Sequence, residues 1–95
     1  MRLIVSPAAA ADLQRLYAFL AGKNEVAAQR AAAALDDALH SLATFPERGR
    51  PEGDLGLREL VVPFGRSAYI VRYGYLAQTD EVVVVRIWHG RELRE

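Results

Sequence analysis

Residues 82–92 read VVVVRIWHGRE. Four consecutive valines make a strand with no polar alternation, the pattern of a strand covered on both faces. Such a strand belongs at the centre of a sheet: one face can meet the rest of the chain, and the other needs a cover too, which another polypeptide could supply. Directly after the valines come Arg86, Trp88, His89 and Arg91. A strand that starts as core and ends in cationic and aromatic side chains is expected to emerge at the sheet rim, where a ligand can be met. Alternation places Arg86 and Trp88 on one face and Ile87 and His89 on the other. Gly90 lacks a Cβ, so the chain can turn there and set Arg91 at the rim.

Two strands precede this one. SAYIVRYGYL at 67–76 puts Tyr69, Val71, Tyr73 and Tyr75 on one face and Ala68, Ile70 and Arg72 on the other. LRELVV at 57–62 is strand-like, and Pro63-Phe64-Gly65 is expected to break it. AQTD at 77–80 turns the chain, so the three strands form an antiparallel meander. Upstream, PERGRPEGDLG at 46–56 holds two prolines and three glycines and reads as an irregular loop.

The cover for the meander comes from the first half of the chain. RLIV at 2–5 is a short strand. Ser6-Pro7 then starts a helix, since a serine can cap free amides and a proline in the first turn has no donor to waste. Leu13, Leu16, Tyr17 and Leu20 form one apolar stripe, with Asp12, Gln14 and Arg15 off it. Gly22 closes this helix and Asn24 caps the next, which runs from about Glu25 to Thr44. The stripe of the second helix is Ala28, Ala31, Leu35, Ala38, Leu39 and Leu42. Its alanines allow close packing as a helical hairpin. The expected fold is α+β, ordered β-α-α-β-β-β, a helical hairpin on a small antiparallel sheet. It is one domain over residues 1–95.

Composition narrows the function. Twelve basic and twelve acidic side chains cancel, so the whole molecule carries no electrostatic signal for nucleic acid or membrane. Lys23 is the one lysine; the other basic residues are arginines. Arginine suits bidentate contacts with carboxylate and phosphate, although a GC-rich genome gives the same bias. With no cysteine there is no disulfide, thiolate metal site or thiol nucleophile, which suits a reducing cytoplasm. MRLIVSP has too short an apolar run for a signal peptide, and no stretch nears the ~18 residues needed to cross a bilayer. The expectation is a cytoplasmic protein.

Three motifs in this order resemble the RelE/ParE superfamily of bacterial toxins from type II toxin–antitoxin systems: SPAAAADL at 6–13, FPERGRP at 45–51 and VVVVRIWHGRE at 82–92, with GRSAYIVRY at 65–73 between the last two. FPERGRP with the R-x-W-H-G-R ending looks more like the ParE branch. The resemblance implies the fold above and a growth-inhibiting toxin silenced by an antitoxin. The antitoxin's apolar C-terminal segment would lie on the hairpin and sheet, against Leu13, Leu16, Tyr17, Leu20, Leu35, Leu39 and Leu42. Its N-terminal part, of ribbon-helix-helix type, would bind DNA, so the toxin meets DNA only indirectly within a hetero-oligomer. ParE-like members act on DNA gyrase and need no catalytic residues. RelE-like members cut messenger RNA on the ribosome. For cleavage, Arg66 would bind phosphate and His89 would act as the base. Gly90 after His89, the lack of a lysine after Arg66 and the neutral charge favour gyrase, with Arg86, Trp88 and Arg91 as the target-binding set. An inactive homologue acting only as a binding module has the same sequence signature.

Each candidate also has a plainer explanation. His89 could be a strand-end histidine bonded to backbone, and Trp88 a cap on the core. Arg66 and Arg72 could pair with Glu59, Asp80 or Glu81 across the sheet. Arg48 and Arg50 could pair with Glu47 or Glu52. His40, Asp36 and Asp37 share one helical surface that could hold a metal weakly, but a solvated His–Asp pair explains it, and neither metal nor cofactor is expected.

Overall fold

A computed structural model describes residues 1–92. The chain runs β1 (Arg2–Val5), α1 (Pro7–Ala21), α2 (Glu25–Thr44), β2 (Arg50–Glu52), β3 (Leu57–Phe64), β4 (Ser67–Leu76) and β5 (Glu81–His89). The helix ends follow their chemistry. The Ser6 hydroxyl accepts from the Ala9 amide at 3.1 Å, and Pro7 opens α1. The Asn24 side chain accepts from the Ala27 amide at 3.0 Å and starts α2. Only three residues separate the helices, so they pack antiparallel.

The sheet has five strands in the order β1-β5-β4-β3-β2 and is mixed, not antiparallel throughout. β5, β4 and β3 form the expected meander. β1 joins beside β5 in parallel, pairing Leu3 with Val82 and Val5 with Val84. The α1–α2 hairpin is long enough to return the chain for this pairing, which no local pattern specifies. β4 is therefore the central strand, and β5 lies between β4 and β1. Two further expectations are corrected. Residues 50–52, read as loop, pair with Leu57–Glu59 as edge strand β2. Pro63 does not break β3, which runs to Phe64 and turns at Gly65 with φ +60°. Past Glu59, β3 has no outer neighbour among the described residues, and a proline on an edge wastes no donor.

The core lies between the hairpin and one face of the sheet. Leu16, Leu35, Leu39 and Leu42 meet Leu60, Val62, Tyr69, Val71, Tyr73, Val82, Val84 and Ile87 there. The valine run is covered unequally: Val82 and Val84 are wholly buried under the helices, while Val83 and Val85 are half-buried. A bulge accompanies this asymmetry. Tyr73 pairs with Val84 but Arg72 pairs with Arg86, so Val85 is an extra residue in β5.

FPERGRP is bound to the core from below. The Gly49 amide donates to the buried Tyr73 hydroxyl at 2.8 Å, and Arg58 donates to the Gly49 carbonyl at 2.7 Å. Arg48 reaches the Ser41 hydroxyl at 2.6 Å, and Glu47 meets Arg58 at 3.5 Å, so the expected Arg48–Glu47 pairing is replaced by these contacts.

Candidate functional site

Two surfaces gather the residues singled out above. The first is a cleft of about 210 Å³ along the helical hairpin, lined by Leu13, Leu16, Tyr17, Leu35, Leu39 and, from β4, Tyr69. It exists because the α2 wall carries Ala28, Ala31 and Ala32, whose methyl groups leave space that larger side chains would fill. Of the seven apolar residues expected to meet a partner, five line this cleft. Leu20 is half-buried against the core, and Leu42 is fully buried within it. Leu16, Leu35 and Leu39 are mostly covered by the chain's own sheet, so Leu13 and Tyr17 are the more accessible of the set. The Tyr17 hydroxyl donates to Glu25 across the mouth of the hairpin at 2.9 Å. Burial pushes the Tyr69 phenol up from its ordinary pKa, and the charge of Glu92 pushes it further.

The second surface is the end of β5. Trp88 is only 4% exposed, although it lies on the sheet face away from the helices. The Arg72 guanidinium stands 4.8 Å from its ring centre and that of Arg86 5.5 Å, so the indole is flanked by two cations. Both arginines are tied to buried carboxylates. Arg72 holds Glu59 with bonds of 3.0 and 2.7 Å to one oxygen, the cross-strand pairing anticipated from sequence. Arg86 holds Asp12 of α1 at 2.8 Å. Burial opposes the Asp12 charge, but bonds from Arg86, the Ile87 amide and Arg15 outweigh it and hold the carboxyl below its ordinary pKa.

His89 ends the strand. Its ring packs edge-on against Tyr69 with centroids 5.5 Å apart, and its Nδ1 accepts from the Arg91 amide at 3.2 Å. The backbone-bonded histidine expected as the plainer reading is what the structure contains. Arg91 is exposed in the turn after the strand, and Arg66 occupies the β3–β4 turn at the same end of the sheet. His40 donates from Nδ1 to the Asp36 carbonyl at 2.8 Å on an exposed helical face. Among the described residues no cluster of His, Asp or Glu could hold a metal ion.

Sequence reasoning offered Glu59 as a partner for Arg72 but missed Asp12, which it placed only off the apolar stripe of α1. The available signal was Arg86 itself: a cation following a run of core valines needs a buried counter-charge. Its partner lies 74 residues away, where no spacing rule reaches.

The family described as ParE toxin of type II toxin–antitoxin system, parDE, matches residues 3–94, and the chain belongs to it. It is 44% identical to Toxin RelE1 of Caulobacter vibrioides, over 97% of this chain and 96% of the relative. It is 42% identical to Toxin RelE2 of the same organism, with 90% of each covered, and 33% identical to Toxin RelE3, with 95% of each covered. The fold matches the solved chromosomal ParDE toxin–antitoxin system from P. aeruginosa with TM-score 0.75 at 23% identity, covering 94% of this chain and 95% of that one. The protein is thus a type II toxin of the RelE/ParE superfamily, a class that works with an antitoxin partner. No helix among the described residues is long and apolar enough to cross a membrane.

Proposed function

We propose that this toxin arrests growth by acting on DNA gyrase, and that a ribbon-helix-helix antitoxin silences it in the cytoplasm by laying an apolar segment into the α1–α2 cleft. The observation that carries the choice of target is the fate of the arginines on the open sheet face. A ribonuclease must present cations to the phosphate as charge builds in the transition state. Arg72 and Arg86 instead have their charge balanced on the spot by Glu59 and Asp12. A surface of this kind suits recognition of a protein, where arginine beside an aromatic ring makes a strong anchor. Arg86 and the exposed Arg91 are the proposed contacts, with the buried Trp88 of the expected set supporting Arg86 from beneath.

A ribosome-dependent nuclease is the second reading. In its favour, the register pairing Tyr69 with His89 brings the Arg66 turn and His89 to one end of the sheet. Purified toxin should block supercoiling by gyrase or trap it with cleaved DNA, and antitoxin should reverse this. Ribosome-dependent cuts in messenger RNA with gyrase unaffected would establish the nuclease instead.

A further inference from the structure

Among the described residues, β5 has no parallel neighbour beyond Val5, because β1 ends at the Val5–Val84 pair. The open edge is closed by side chains instead. The Ser6 hydroxyl donates to the Val85 carbonyl at 3.0 Å. Asp12 Oδ2 accepts from the Ile87 amide at 2.9 Å and from Arg86 Nε at 2.8 Å. Asp12 Oδ1 accepts from Arg86 Nη2 and Arg15 Nη2, each at 3.2 Å. Arg15 continues to Glu92, whose other oxygen accepts from the His89 amide at 2.7 Å. Carboxylates from α1 and from the turn after β5 therefore do the work of the missing strand, and Asp12, only 4% exposed, joins α1 to β5 directly and reaches the turn through Arg15 and Glu92.

Asp12 meets β5 where the bulge at Val85 has redirected Arg86. A bulge leaves a residue unpaired and disrupts the ladder locally. Here one carboxylate bonds both the Arg86 side chain and the Ile87 amide, the backbone leading to Trp88. We propose that Asp12 is a positioning residue for the toxic surface: without contacting the target, it sets the orientation of Arg86 and the 87–92 segment. This rests on the reading that the end of β5 meets the target.

The variant to make is Asp12→Asn, which keeps the shape but removes the charge and places an amide donor against donors. Trp88 is the single tryptophan of the chain, so its fluorescence reports on this one locus. Four measurements are needed: far-UV circular dichroism, acrylamide quenching of Trp88, affinity for the antitoxin, and inhibition of growth and of gyrase. Asp12→Asn should fold, bind antitoxin as the parent does, show greater Trp88 quenching, and lose roughly tenfold or more in toxicity. Asp12→Glu should recover part of the loss. Unchanged quenching with full toxicity would overturn the proposal, and so would a loss of toxicity matched by equal loss of antitoxin binding, which marks general damage. Greater quenching with full toxicity, in Asp12→Asn and in Arg91→Ala alike, would uphold the hold on the segment and overturn the reading that it meets the target. Should Asp12→Asn fail to fold, Glu92→Gln removes only the outer carboxylate. It should raise quenching and lower toxicity to a smaller degree, and no change in either would sink the proposal.

Discussion

Replacing Gly49 by alanine tests whether the glycine of FPERGRP serves the fold or a partner. Its φ is not in the left-handed region, so conformation does not demand glycine there. Space does. A Cβ at Gly49 would lie 2.7 Å from both Cε1 and Oη of Tyr73 and 2.9 Å from the Glu59 carbonyl oxygen. Carbon atoms keep about 3.5 Å, so the ring contact is about 0.8 Å too short. Neither neighbour can easily retreat. Tyr73 is wholly buried, and the carbonyl belongs to β3 where it pairs with β2. Overpacking of this kind costs about 1–3 kcal/mol. The Gly49–Tyr73 hydrogen bond, worth about 1 kcal/mol net, would be strained as well. The sum is roughly 2–4 kcal/mol, against a total of about 5–14 kcal/mol for a domain of this size. A melt followed by circular dichroism should show Tm falling by roughly 10–25 °C. Adding Tyr73→Phe removes one of the two close atoms, so Gly49→Ala should cost less in that background, with a coupling of about 0.5 kcal/mol or more. A Tm within ~3 °C of the parent, together with lost toxicity, would refute the packing account and make Gly49 a contact residue.

Leu13→Glu places a charge in the apolar cleft while leaving the buried leucines in place; antitoxin affinity measured by calorimetry should fall about tenfold or more, with the melting curve little changed. Arg91→Ala should weaken growth inhibition with the fold intact, whereas His89→Ala should cost about 1–2 kcal/mol of stability, for one hydrogen bond and one ring contact, and leave most toxicity; the opposite order in growth assays would favour the nuclease. Because the Asp12 carboxyl is held below its ordinary pKa of 3.8, its contribution is complete well above that value and is lost as pH falls through the lower folded pKa. Acid titration followed by circular dichroism should therefore show Asp12→Asn losing less stability than the parent between about pH 5 and 2.

Local chemistry made much of the molecule legible. The Ser6-Pro7 and Asn24 caps mark both helix starts, and α2 ends at Thr44 as its apolar stripe indicates. The period-2 pattern of 67–76 and the valine run locate β4 and β5 at their observed limits, because alternation and caps act within a few residues. The family motifs likewise stand within short stretches. What tertiary structure alone decided is everything that depends on distant partners. β1 lies beside β5 because the hairpin brings it back, and the three-residue β2 is held by β3 rather than by any strand propensity of Arg-Pro-Glu. The cleft is a property of how far apart the alanine-rich wall and the leucines end up. Trp88 is flanked by Arg72 from β4 and Arg86 from its own strand because the β4–β5 register brings them together, and Asp12 is buried because Arg86 and the bulge in β5 arrive opposite α1. Ion pairing follows proximity in space, and a separation of 74 residues leaves no periodic trace in the chain.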